Sequence, residues 1–345
     1  MWIGLISKLA WGAPDYRLRF LTELPAAFNL TSFTTGGTIT GTQNGPRSFI
    51  YQAGRIYESI EVWPNAFGSS MLANDMGQYV SERERLYATS LGGELKLIPP
   101  DDWHQFAVAH HLTESGWMVG ASEMNIFGEP SEVGYIFNLK TGQRRTLNPG
   151  TDLAGNLLVN SRLCAGNEHG RYAGLLLEER ADSRGQVYTW ANGKYTLLGE
   201  LREETSTDEL EVNNAGHVAW SNLRGQVKIW DGTTTQVWNN LNFFELEGMA
   251  DDKTLAYTRL SGVGGPEVGV FTNGIAYRLQ DITQNLPTGM QIRSIRMRYD
   301  GVMAGHCQWQ GKDYLVQFTP VPEPASSVAI GLGCLALRRR RRVAG

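Results

Sequence analysis

The chain has 345 residues, 41% of them apolar, with 31 Lys+Arg against 35 Asp+Glu and a formal net charge of −4. That composition is ordinary for a globular protein, and with the basic C-terminal block set aside the chain is clearly acidic, a poor match for nucleic acid or an anionic lipid surface as partner. Forty Gly, ten Trp, thirteen Tyr and twelve Phe are spread along the chain, which suits many short strands joined by tight turns and an all-β fold.

Residues 1–13 are apolar, but no basic region precedes them and Lys8 interrupts them. A signal peptide has a charged start and an unbroken apolar core. The segment reads either as the remnant of a signal peptide whose start lies upstream or as a short leader. The stretch Tyr16 to Leu21 follows as a strand without a unit of its own.

Seven units come next. The clearest runs from Val212 through Asn213-Asn-Ala-Gly216 to Ser221, then Gly225 to Gly232, then Thr235 to Trp238. It reads as strand, turn, strand, link, strand, tight Gly turn, strand, and the Asn and Gly positions permit the positive φ such hairpins need. The same grammar recurs from Thr34, Ala73, Leu112, Asn167, Met249 and Arg298. The glycines that close six of the units (Gly54, Gly93, Gly142, Gly193, Gly232 and Gly274) recur every 39–51 residues. That period predicts a seven-bladed β-propeller of four-stranded blades over residues 14–319, with a β-sandwich or two stacked β-domains as the competing arrangement. The seventh unit has only three strands, near Ile292–Ile295, Val302–Gly305 and Tyr314–Phe318. Pairing Tyr16–Leu21 with Tyr314–Phe318 is expected to close the ring and remove its open edges.

Residues 320–345 form a tail with three parts: Pro322-Glu323-Pro324, an apolar run from Ala325 to Leu337, and Arg338, Arg339, Arg340, Arg341 and Arg342. Prolines keep the first part extended and accessible. The run is a short hydrophobic helix outside the propeller, about 20 Å long against about 30 Å of hydrocarbon. The arginines stop transfer on the cytoplasmic side, so transient membrane contact is expected through residues 325–342. Without those five arginines, Lys+Arg falls from 31 to 26 against 35 Asp+Glu, a net charge of −9.

Pro322-Glu323-Pro324, the apolar run and the arginine block together resemble the PEP-CTERM sorting signal of bacteria with exopolysaccharide-rich envelopes. The resemblance implies export, cleavage near the Pro-Glu-Pro motif by an exosortase, and attachment at the cell surface or release. Asn213-Asn-Ala-Gly216, Trp230-Asp-Gly232 and Trp190-Ala-Asn-Gly193 resemble the HAF-type extracellular repeats that often accompany such tails. That family carries no catalytic residues to transfer.

The body offers little chemistry of its own. No GxSxG, HExxH or P-loop is present, and no Cys/His cluster suggests zinc, so no cofactor, metal or catalytic residue is expected. Cys164 and Cys307 fall in units several blades apart and read as buried free thiols. In a strand, His110 and His111 point to opposite faces and cannot share a metal. His169 and His217 are taken to occupy matching turn positions. Asp75, Asp101, Asp102, Asp251 and Asp252 lie at turns, where Asp caps its own backbone. Trp63, Trp103, Trp117, Trp220 and Trp238 suit packing between blades better than stacking on sugars. The expected function is a non-enzymatic, monomeric surface propeller that binds extracellular polysaccharide or surface proteins. The alternatives are a polysaccharide lyase or hydrolase with carboxylates or His at the channel mouth, and a bulk matrix component with no discrete ligand.

Overall fold

The computed structural model describes residues 13–25, 27–42, 48–58, 70–82, 86–90, 96–98, 104–126, 129–147, 160–177, 184–202, 210–222, 225–241, 245–261 and 265–321. Residues 1–12, Trp63, Asp101, Asp102, Trp103 and the tail from Pro322 onward, with its expected helix, lie outside them.

The strands form seven sheets around one axis. Blade 1 is β2 (Asn29–Phe33), β3 (Ile39–Thr42), β4 (Ser48–Gln52) and β5 (Arg55–Glu58). Blade 2 is β6 (Ser70–Ala73), β7 (Gln78–Glu82), β8 (Leu86–Ser90) and β9 (Lys96–Leu97). Blade 3 is β10 (His104–Leu112), β11 (Trp117–Ile126), β12 (Glu129–Asn138) and β13 (Arg144–Thr146). Blade 4 is β14 (Asn160–Gly166), β15 (Tyr172–Leu177), β16 (Arg184–Ala191) and β17 (Lys194–Arg202). Blade 5 is β18 (Leu210–Val212), β19 (Val218–Asn222), β20 (Gln226–Trp230) and β21 (Thr235–Trp238). Blade 6 is β22 (Glu245–Met249), β23 (Leu255–Ser261), β24 (Gly265–Thr272) and β25 (Ile275–Arg278). A single helical turn, α1 (Leu279–Ile282), and β26 (Thr283–Gln284) lead into β27 (Gln291–Met297), β28 (Met303–Trp309) and β29 (Lys312–Pro320).

Blade 7 is completed by β1 (Tyr16–Leu24), which lies antiparallel on β29 with Leu18 opposite Phe318 and Glu23 opposite Tyr314. This is the closure expected from the sequence, strand for strand. One addition was not foreseen: β26 pairs parallel to the far side of β1, making blade 7 five-stranded. The last described backbone hydrogen bond of the closure runs from Val321 N–H to the Asp15 carbonyl at 2.8 Å.

Among the described residues seven apolar clusters form the core, and each one sits between a pair of neighbouring blades. Strand β19 shows how. Val218 and Trp220 on one face pack toward blade 4, while Ala219 on the other packs toward blade 6. Strands buried on both faces carry near-continuous apolar runs, so each unit reads as Val-Ala-Trp rather than as strict alternation. Trp117, Trp220 and Trp238 all pack in these interfaces, as expected. Cys164 and Cys307 are buried in blades 4 and 7 and are not joined by a disulfide, and burial pushes the Cys307 thiol well up.

Two backbone devices repeat. The first is the turn between the first and second strands of each blade. In all seven, the N–H of position 1 donates to the carbonyl of position 5, and the N–H of position 4 donates to the carbonyl of position 1. Position 4 is left-handed every time: Gly37, Gly77, Gly116, Gly170, Gly216 and Gly301 have φ of 70–89°, and Lys253 has φ 73°. The second device is a bulge in the innermost strands β2, β10, β14, β22 and β27. It brings a carbonyl toward the neighbouring strand, so a Cβ on Gly120 or Gly174 would sit 1.9 Å from the Val108 or Arg162 carbonyl oxygen.

Opposite effects are therefore expected at two kinds of position. Lys253→Gly removes a left-handed residue that bears a Cβ and should stabilise the protein by about 1 kcal/mol. Gly174→Ala should destabilise it by about 3 kcal/mol through forced displacement of the bulged strand. Denaturant melts of both variants against the parent chain check the signs.

Candidate functional site in the central channel

The innermost strands line a central channel with a cavity of about 130 Å³. Its polar lining includes His110, His111, Glu211, Glu247 and Arg296, with Glu114 and Glu168 at the turn end. The bulge between Ala109 and His111 in β10 changes the expectation for the His pair. A bulge sets two residues against one on the partner strand and breaks the alternation of faces. Both His110 and His111 accordingly line the channel, instead of one on each face.

The charges of the channel are largely spoken for. Glu247, only 5% exposed, accepts from Thr258 Oγ1 at 2.8 Å and pairs with Arg296 Nη1 at 3.2 Å. Arg296 Nε also donates to the Leu30 carbonyl at 3.3 Å, reaching from blade 7 to blade 1. Burial and the nearby Arg296 push the His111 imidazole down to about 4, so it is neutral at pH 7, and its Nε2 is buried without a hydrogen-bond partner.

At one end the seven turns form a closed girdle of hydrogen bonds from each blade to the next. Gly36 N–H and the Thr35 hydroxyl donate to Asp75, joining blades 1 and 2. Thr35 N–H and Asp75 N–H donate to Glu114. Glu114 N–H and Ser115 N–H donate to Glu168, at 2.5 and 2.8 Å. Glu168 N–H reaches Asn214 Oδ1 at 3.2 Å, and Ala215 N–H reaches Asp251 Oδ1 at 3.1 Å. Asp251 N–H donates to the Tyr299 carbonyl at 2.8 Å. Arg298 closes the circle by donating to the carbonyls of Thr34 and Thr35, at 3.1 and 2.8 Å.

Inside the girdle, the side-chain amides of Asn74, Asn167 and Asn213 each accept from their own turn through Oδ1. Through Nδ2 each donates to the first carbonyl of the next blade's turn. Blades 6 and 7 have Ala250 and Arg298 in place of an acceptor at position 1. There the role passes to Asp252 and Asp300 at position 3, which accept from Thr254 and Val302.

Tyr299, from blade 7, crosses the channel axis, and its hydroxyl donates to the Gly166 carbonyl of blade 4 at 3.2 Å. Burial and the carboxylates of Glu168, Glu211, Glu114 and Asp251 hold its pKa well above 10, so it remains a phenol and forms a floor to the cavity.

Several sequence expectations change here. Asp252 caps its own turn, but Asp75 and Asp251 occupy position 2, where the side chain meets the neighbouring blade and caps that blade's backbone. His169 and His217 do not match: in the frame set by Gly170 and Gly216 they hold positions 3 and 5. His217 Nδ1 lies 3.0 Å from Asn213 Nδ2, a local turn contact. Glu114, Glu168, Asn214, Arg298 and Tyr299 were missed altogether. Aligning the units on the left-handed residue would have shown the run of carboxylates and amides at position 2. The sorting residues Pro322, Glu323 and Pro324, and Arg338 to Arg342, lie outside the described residues. Among the described residues no group of three or more His, Cys, Asp and Glu could hold a metal ion.

The geometry defines a seven-bladed β-propeller, and solved structures of low identity share the fold. The β-propeller domain of the Trilobed protease from Pyrococcus furiosus aligns at 10% identity and TM-score 0.51, over 84% of this chain and 93% of that one. It is described as having an open velcro topology, whereas β1 closes the ring here. A puromycin-hydrolyzing peptidase from Mycobacterium tuberculosis aligns at 12% identity and TM-score 0.51, over 89% of this chain and 56% of that one. No protein-family model matches the chain, and no curated protein does.

His111 sets an acid limit on stability. Its folded pKa lies below the unfolded value near 6.5, so the unfolded chain takes up the proton first as the pH falls. Stability is expected to drop by about 2 kcal/mol from this group between pH 6.5 and pH 4. In His111→Gln that share should vanish, as read from the difference between the two chains' denaturation free energies across the pH range.

Proposed function

We propose that this chain is an exported surface propeller, cleaved near Pro322-Glu323-Pro324 by an exosortase, that binds extracellular polysaccharide or surface proteins without catalysing a reaction. The observation that carries the reading is how closely the motif follows the closing strand. The closing strand ends at Pro320, Val321 N–H donates to the Asp15 carbonyl, and the Pro-Glu-Pro motif begins at the next residue of the sequence. Cutting there removes the apolar run and the arginines and spares the residues that pair β1 with β29.

The state of the channel supports the non-enzymatic half. Paired-carboxylate hydrolysis needs two carboxyl groups about 5–10 Å apart with the sugar between them. Glu114 and Glu168 are held by backbone N–H groups, and Glu247 by Thr258 and Arg296. A cavity of about 130 Å³ is close to the size that takes up one benzene, which is smaller than a sugar ring. Binding then falls to surfaces outside the channel.

Mass spectrometry of the protein recovered from its native host is expected to show a chain ending near Pro324. A chain that retains Arg342 would overturn the processing. Retention of the purified chain on immobilised envelope polysaccharide, with no release of reducing ends or unsaturated sugars, is the expected result for the second half.

A further inference from the structure

We infer that a second cavity, on the seam between blades 7 and 1, is a binding site for one neutral sugar ring. This rests on the surface-binding reading above and names where that binding occurs. The cavity measures about 450 Å³, within the roughly 300–1,000 Å³ typical of small-molecule sites and several times larger than the channel. Asn29, Thr42, Arg293, His306, Gln308 and Asp313 line it, with Phe28 as the apolar wall. Five of the six lie on β2, β3, β27, β28 and β29 toward the strand ends remote from the turn girdle, with His306 at the middle of β28, so the site opens on the opposite face of the ring.

The polar groups are held in place before any ligand arrives. His306 is 4% exposed, and its Nε2 lies 2.7 Å from Asp313 Oδ1. Arg293 Nη2 donates to Gln308 Oε1 at 2.7 Å. A carboxylate oxygen accepts, so His306 Nε2 is the donor of this pair and the ring is fixed by it. The Arg293 guanidinium offers donors only, while Asn29, Thr42 and Gln308 offer both kinds. A hydroxyl is itself donor and acceptor, and a ring of hydroxyls answers this mixture. The opposite charges of Arg293 and Asp313 cancel, so the site gives a charged ligand no net advantage. A metal ion would want acceptors where Arg293 stands.

The test is titration of the full chain with methyl glucoside, methyl galactoside, methyl mannoside and glucuronate, followed by amide NMR shifts and calorimetry. At least one neutral glycoside should bind at millimolar concentration and shift the amides of β27 to β29. Thr42→Val and Asn29→Ala, at the rim, should each weaken it by about tenfold with an unchanged melting temperature. Asp313→Asn should do the same through the orientation of His306. The inference is overturned if no neutral glycoside binds, if the rim variants bind as the parent does, or if glucuronate binds tenfold tighter than every neutral sugar. A chain that binds polysaccharide without competition from glycosides keeps the surface reading and loses this site. Glycoside binding without polysaccharide binding does the reverse.

Discussion

Seven blades that bury their apolar surface only against their neighbours have no common centre, so something must hold the inner edges at one radius. The turn girdle supplies it. Each blade offers backbone N–H groups, or a carbonyl, to a partner on the next turn, and Arg298 returns the last link to Thr34 and Thr35. Hydrogen bonds from backbone N–H to a carboxylate are stronger than neutral pairs, and buried groups left unmade are costly. The girdle therefore fixes both spacing and rotation of the blades, and the seven interface clusters pack onto a frame already in register.

Because the frame is shared, departures in one turn are answered within that turn. Ala250 and Arg298 lack the acceptor that Asn and Thr provide elsewhere, and Asp252 and Asp300 stand two residues on to supply it. Arg298 is thereby freed to reach across the closure, where it also lies over the Phe33 ring at 4.7 Å. Closure of the ring thus has two independent clasps, one of strand pairing at β1 and one of side chains at the inner rim.

Much of the fold was legible from the sequence because its signals are local. Gly at the left-handed turn position in six of the seven units and apolar runs between turns mark the blades, and the orphan strand Tyr16–Leu21 beside a three-stranded last unit marks the closure. What escaped notice depends on distance along the chain. Glu114 accepts from residues 79 and 39 positions away, and Tyr299 reaches a carbonyl 133 positions away. Nothing near those residues announces the partner. The His110–His111 orientation failed for a different reason: a bulge is one extra residue, and periodicity alone does not reveal it. The seam pocket was equally hidden: His306 and Asp313 meet within the β28–β29 hairpin, but Asn29 and Thr42 come to the same cavity from the other end of the chain.

The pairing of β1 with β29 also has a mechanical side. The two strands are antiparallel, and Asp15 and Val321 leave from the same end of the pair. A pull applied between those two residues loads the bonds one after another, as in a zipper, instead of all together in shear. A protein held by one end and tugged by the other would open at its seam under modest force, while the other six blades stayed folded against each other. Tethering through a single end leaves the zipper unloaded.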